Sequence, residues 1–234
     1  MGNLSLTPNI PIQETTHPRI MKKILPLFLT ASALSMAGCS RPGVAGDGVI
    51  KAEDRSVAEY TRIEITGGYE VQWTSGKPAL NISADENLLP LIKTEVNGGT
   101  LVISARGMLS PTKPLTLTLS SAALAGVVMN GGIKFKATQL AGADFSLTAN
   151  GTADINVDGS ITNLSVELNG ASEFKAKNLQ THTAKLAMSG ASNAEVNVSD
   201  ALKVTINGTG AVTYSGNPKV DQEINGAGSI KHAP

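Results

Sequence analysis

Between residues 125 and 234 the chain repeats one short unit, and a repeat of this length leaves few folds open. Each copy has alternating apolar residues, then Asn or Ser, then Gly, then usually a small residue. The pair falls at Asn130-Gly131, Asn150-Gly151, Asn169-Gly170, Ser189-Gly190, Asn207-Gly208 and Asn225-Gly226, in steps of 20, 19, 20, 18 and 18 residues. A near-constant period of this size is the mark of a repeat architecture. Alternation before the Asn is the side-chain period of a strand. It resumes afterwards, with Phe135, Ile155, Phe174, Ala194, Val212 and Ile230 five residues on and Ala137, Val157, Ala176, Val196, Tyr214 and His232 seven on. Asn-Gly and Ser-Gly suit a tight turn between two strand segments because both tolerate φ > 0.

A coil of about 19 residues at roughly 3.3 Å each has a perimeter of about 60 Å, the size of one β-solenoid coil. A βαβ unit needs about 30 residues. The competing reading is a meander of tandem Asn-Gly hairpins, which does not explain why columns match every coil instead of every strand. A leucine-rich repeat is excluded because Asn directly follows the third apolar residue and no helical period fills the return. The expected fold is all-β: a parallel β-solenoid of about 18–20-residue coils behind an irregular N-terminal cap.

The N-terminal part reads as delivery. Residues 1–20 are polar and aperiodic, and are expected to be a non-native extension ahead of the true start at Met21. Met21-Lys22-Lys23, the apolar run Ile24–Leu34 and the small residues before Cys39 describe a secretory signal peptide over 21–38. The apolar run is too short to span a bilayer as a helix. Ala37-Gly38-Cys39 resembles a bacterial lipobox, with Met36 where Leu is usual. It places the only cysteine at the new N-terminus, as the lipidated anchor. Several acyl chains on one residue give stable anchoring where one is marginal. Ser40 instead of Asp after the Cys implies, in enterobacterial-type sorting, the outer membrane. Residues 39–48, rich in Gly and Pro, are expected to be a tether, and 49–234 the folded domain, with 49–120 as cap and first strands and 125–234 as regular repeats.

Composition fits that plan. Nineteen basic and nineteen acidic residues cancel, so no field draws nucleic acid. Aromatics are only 3% of the chain; a narrow solenoid interior filled by stacked Val, Leu, Ile and Ala needs few. In the cap, Arg62–Ile65, Tyr69–Trp73, Leu80–Ser83 and Leu115–Leu119 alternate as strands. Asp85–Ile92 suggests one or two helical turns that tolerate Pro90. Val96-Asn97-Gly98-Gly99-Thr100-Leu101 signals a hairpin.

Gly46–Ile50 through Arg55, Tyr60–Ile65, Ala84–Pro90, Thr100–Ile103 and the Gly-centred turns together resemble the DUF2807 family, also known as the putative autotransporter adhesin, head GIN domain. The resemblance covers about residues 46–232. It implies a right-handed parallel β-helix similar to pectate-lyase-like folds, without a known catalytic site. The chain shows no membrane barrel of the kind an autotransporter needs.

No catalytic, cofactor or metal motif emerges. His17, His182 and His232 stand apart, without ligands at metal spacing. Asp154, Asp158, Glu173, Lys175 and Lys177 fall at outward positions, where a solvated face accounts for them. The calcium nonapeptide is absent. The Asn/Ser column reads first as a structural amide ladder, with a glycan-binding stripe as the functional alternative. Trp73 is a candidate sugar platform that reads first as core or cap. The expected function is a non-enzymatic envelope lipoprotein, an adhesin or a glycan- or envelope-binding solenoid. It is held at the outer membrane, periplasmic or surface-facing, by its lipid anchor, with a glycan or protein partner and a C-terminal end open to self-association. The alternatives are a carbohydrate-active β-helix lyase or hydrolase and an end-to-end polymerising structural β-helix.

Overall fold

The computed structural model describes Gly2 and residues 43–233. The expected extension, signal peptide and lipidation site at Cys39 lie outside the described residues. The elements are β1 (Val44–Ala45), β2 (Ile50–Arg55), β3 (Arg62–Ser75), β4 (Ala79–Asp85), a single 3-10 turn (Leu89–Leu91), β5 (Ile92–Asn97), β6 (Thr100–Ala105), β7 (Leu109–Ser110), β8 (Thr116–Ser121), β9 (Gly126–Ser215) and β10 (Lys219–His232). Among the described residues no helix is long and apolar enough to cross a membrane.

The 90 residues of β9 laid straight would reach about 300 Å. Instead the run returns on itself, and Asn150 bonds Asn130 and Asn169 bonds Asn150 across 20 and 19 residues of chain. β10 lies parallel to the end of β9 at a constant offset of 18, with Asn225 beside Asn207 and Gly226 beside Gly208. β3 lies parallel to the start of β9, with Thr66 beside Asn130 and Gly67 beside Gly131. A hairpin meander would have paired these strands antiparallel.

The repeat therefore begins at β3, earlier than residue 125. Ile63-Glu64-Ile65-Thr66-Gly67-Gly68 has the unit's pattern with Thr in place of Asn, but a step of 64 residues to Asn130 hides it from a search for period. β3 is sandwiched. Its far side carries β6 against residues 62–65 and β8 against 70–75, both parallel. Residues 100–103 and 116–121 thus stack on the opposite side of β3 from the coil that follows them. Beyond them the pairing turns antiparallel, β4 on β8, β2 on β4 and β5 on β6, and this forms the cap. Gly98 and Gly99, both at positive φ, make the β5–β6 hairpin turn. Pro90 sits in the first turn of the 3-10 segment, where its missing N–H costs nothing.

Inward columns alternate with outward ones as strand geometry requires. Ile155, Phe174, Val212, Ala137 and Val157 are all at most 2% exposed. One inward column carries no obvious apolar signal: three residues after each corner stand Tyr69, Ile133, Ala153, Ser172, Ser192, Gly210 and Gly228. It shrinks along the stack, and over its last three members the residue before the corner is large: Met188, Ile206 and Ile224. A Cβ on Gly210 would meet Met188 Cε at 3.2 Å, and one on Gly228 would meet Ile206 Cγ2 at 3.0 Å. Large side chains from one column fill what the other vacates, which keeps the interior close-packed.

The described part of the tether, residues 43–48, is strapped onto the domain. β1 pairs with β7, and Asp85, fully buried, holds the strap to the neighbouring loop. Its carboxylate accepts from the Gly48 N–H at 2.9 Å, the Thr112 N–H at 3.0 Å and the Thr112 hydroxyl at 2.6 Å. The Thr112 hydroxyl leads in holding the Asp85 carboxyl below its ordinary value of 3.8; burial opposes it and the backbone donors add to it. A folded pKa below the unfolded one gives stability that is present above about pH 4 and is lost as pH falls through the folded value. The protection of the Gly48 and Thr112 amides from hydrogen exchange, taken against the unfolded chain at the same pH, should therefore fall selectively in acid. The Asp85→Asn variant should lose that pH dependence, and pH-independent protection in the native chain would contradict the assignment.

Candidate functional site

The corner glycines are the tightest points of the stack. Gly67, Gly131, Gly151, Gly170, Gly190, Gly208 and Gly226 all have φ between 112° and 147°. A Cβ on any of the last six would collide with the carbonyl oxygen of the preceding corner glycine. Beside them runs the amide column. Asn130 Nδ2 reaches Thr66 Oγ1 at 3.4 Å, Asn150 donates to Asn130 at 2.9 Å, Asn169 to Asn150 at 3.1 Å and Asn225 to Asn207 at 3.1 Å. Ser189 is too short to reach and interrupts the ladder. Each of these bonds ties one corner amide to the corner of a neighbouring coil.

A second corner, nine residues further along, lacks the Asn-Gly signature. It is built from Gln139 at φ 59° and from Gly159 and Gly216, also at positive φ. Asp158 Oδ1 accepts the Gln139 backbone N–H at 2.9 Å, which gives that carboxylate a turn-holding role. Several other charges on this side pair: Lys134 with Glu70 at 2.8 Å, Lys175 with Glu173 at 2.9 Å and with Asp154 at 3.1 Å; among the described residues Lys177 takes part in no ion pair. Glu173 first, then Asp154, push the Lys175 ammonium up from its ordinary pKa, and Glu70 does so for Lys134.

His182 Nδ1 lies 3.2 Å from Asp200; His232 bonds the Gly216 carbonyl and packs on Tyr214. Among the described residues no three His, Cys, Asp or Glu side chains gather to hold a metal. Trp73 is no sugar platform: it is 2% exposed and its indole N–H donates to Ser121 Oγ at 3.0 Å.

The main concavity lies on the strand segments ahead of the first corner. It is a groove of about 760 Å³ that crosses the coils at right angles to the strands. Its floor is the backbone over Phe145, Leu164 and Leu202, whose side chains point into the core. One wall carries Asp144, Asn163 and Thr183, linked by bonds of 2.9 and 2.8 Å. The other carries Arg62, Ser146, Ser165, Lys185 and Lys203. Lys203 pairs with Asp221 at 3.1 Å; among the described residues Arg62 and Lys185 take part in no ion pair. Stacked coils place such groups about 4.8 Å apart. The groove was missed in the sequence because it needs two outward columns brought together by strand bending. The polar positions four and six residues before each Asn were its only trace.

Fold and groove define an all-β protein whose parallel strands carry a long polar face. The chain belongs to the DUF2807 family, described as "Putative auto-transporter adhesin, head GIN domain", which matches residues 59–218. No curated protein matches it. Among solved structures it is similar to a putative adhesin from Bacteroides fragilis, at 19% identity and a TM-score of 0.68, over 82% of this chain and 100% of that one. A putative lipid binding protein from Parabacteroides distasonis aligns at 22% identity and a TM-score of 0.55, over 82% and 100%. A putative adhesin from Parabacteroides merdae aligns at 20% identity and a TM-score of 0.51, over 82% and 99%. At these identities the likeness shows the fold.

Proposed function

We propose that this chain is a non-enzymatic lipoprotein of the cell envelope, anchored at the outer membrane through Cys39, whose groove binds an extended glycan. In this reading β3, β9 and β10 wind as a right-handed parallel β-helix. The in-register parallel pairing supports the winding, and parallel crossovers are right-handed in about 98% of cases. The observation that carries the function is the groove: hydroxyl, amide and ammonium groups recur at coil spacing over a backbone floor, which suits a polymer with repeating hydroxyls. The adhesin descriptions of the family and of two of the solved relatives agree with it. On the opposite side Glu70, Asp154 and Glu173 are held in ion pairs and Asp158 in a turn bond, and for these a structural role is sufficient.

The binding test is a glycan array followed by titration of the best ligand. Asn163→Ala combined with Lys185→Ala should weaken binding about tenfold, the loss expected from one to two polar contacts. Lys134→Ala on the far side should leave binding unchanged. Equal affinity in all three chains would remove the groove from the reading, and release of new reducing ends from the bound glycan would replace it with an enzyme. The anchor is tested separately. A palmitate analogue fed to cells should label the wild type and not Cys39→Ser, and equal labelling of both would end the lipoprotein assignment.

A further inference from the structure

The groove ahead of the first corner carries a charge that the chain as a whole does not. Nineteen cationic and nineteen acidic side chains cancel over the sequence. The groove, however, is lined by four cations, Arg62, Lys185, Lys203 and Lys219, against two carboxylates, Asp144 and Asp221. Both carboxylates already have partners inside it. Asp221 pairs with Lys203 at 3.1 Å, and Asp144 accepts from the Asn163 amide at 2.9 Å. Among the described residues Arg62, Lys185 and Lys219 take part in no ion pair, and all three are exposed. The groove therefore presents uncompensated positive charge to whatever lies in it.

The stack sets these cations at defined heights. Arg62 lies beside Gly126, and in the next coil the Ser146 N–H donates to the Ala125 carbonyl at 3.0 Å. Gly126, Ser146, Ser165 and Lys185 each stand four residues before a corner Asn or Ser, as Arg62 does before Thr66. Arg62 and Lys185 are thus four coil steps apart, roughly 19 Å, with the hydroxyls of Ser146 and Ser165 between them. Gly126 makes room at the Arg62 end. A Cβ there would come within 2.8 Å of Ser146 Oγ and 3.3 Å of Arg62 Nη1, so guanidinium and hydroxyl meet over bare backbone. A planar guanidinium fits a carboxylate with two parallel bonds, and the hydroxyl beside it suits a sugar ring that carries one. The sole aromatic residue of the lining, Phe145, is 1% exposed, so no ring faces the groove on which the bases of a nucleic acid could stack.

We infer that the groove selects an acidic glycan, an extended polysaccharide whose sugars carry carboxylates. One carboxylate is held by Arg62 over Gly126 and another by Lys185, while sugar hydroxyls between them bond Ser146 and Ser165. Lys203, neutralised by Asp221, contributes less than Lys185. Binding is reversible and non-covalent. The inference rests on the glycan reading of the groove given above and adds to it the charge of the ligand.

The test titrates the full-length chain with an oligomer of 1,4-linked mannuronate long enough to span the groove, and with the same oligomer after its carboxyls are reduced to primary alcohols. At low salt the acidic oligomer should bind about tenfold more tightly, the gain expected from two partly exposed ion pairs. High salt should remove that advantage. Arg62→Gln combined with Lys185→Gln should cut the preference to about twofold or less, with little change in affinity for the reduced oligomer. Lys136→Gln combined with Lys177→Gln removes the same net charge from the opposite side and should keep the preference, which separates the groove from the overall charge of the chain. Equal affinity for the two oligomers overturns the inference and leaves the glycan reading standing. A preference that survives in the Arg62 and Lys185 variant overturns it as well. If neither oligomer binds, the inference fails, and the glycan reading stands or falls with the array. Displacement of the acidic oligomer by single-stranded DNA at equal potency would assign the groove to polyanions in general and also overturn the inference.

Discussion

Gly170→Ala is expected to destabilise the domain by about 3–5 kcal/mol, from a side chain forced into positive φ, local strain and overpacking together. Gly170 has φ 147°, and a Cβ there would run into the Gly151 carbonyl oxygen. That oxygen cannot move aside, because it belongs to the corner of the coil below, which is itself pressed on Gly131. The strain should therefore spread along the stack. Gly132→Ala is the control: a Cβ there meets nothing within 4 Å and its φ is not in the left-handed region, so the variant should be neutral or gain up to about 1 kcal/mol from a less flexible unfolded chain. Chemical denaturation of both variants decides the matter. Equal stabilities would mean that the corner column does not limit how closely the coils stack.

Phe174→Ala and Leu168→Ala should cost about 3–5 and 2–5 kcal/mol respectively, the range for emptying a close-packed interior position. Both residues are 0% exposed, and both lie in coils covered above and below, so neighbours have little room to collapse into the cavity. Glu167→Ala, one residue along the same strand and facing water, should stay within about 0.5 kcal/mol, although Glu167 accepts a 3.1 Å bond from Asn169. A larger loss at Glu167 than at Leu168 would mean that the outward column of amides and carboxylates, and not the interior, holds the coils together.

How much of this was legible in the chain follows from where each contact lies in sequence. The corner residues and the inward alternation could be read because every coil must set the same kind of residue at the same place, so the requirement prints itself six times. The hairpin at Gly98-Gly99 and the turn around Pro90 were legible for a simpler reason, since neighbouring residues make them. Trp73, by contrast, was a candidate for two roles until its indole was seen to bond Ser121, 48 residues away.

The amino-acid sequence by itself thus determined the repeat length, the strand facing and the glycine corners, all of which are set by backbone sterics and by a period that any stacked coil must obey. Tertiary structure alone decided that Thr66-Gly67 is the first corner, with residues 100–103 and 116–121 paired on the far side of its strand. It alone let Asp158 hold Gln139 in a second corner and Asp85 fasten the strap. It also bent two outward columns into a groove. In each of these cases the partners are brought together by the path of the chain through the stack. They occur once instead of once per coil, so no periodicity marks them.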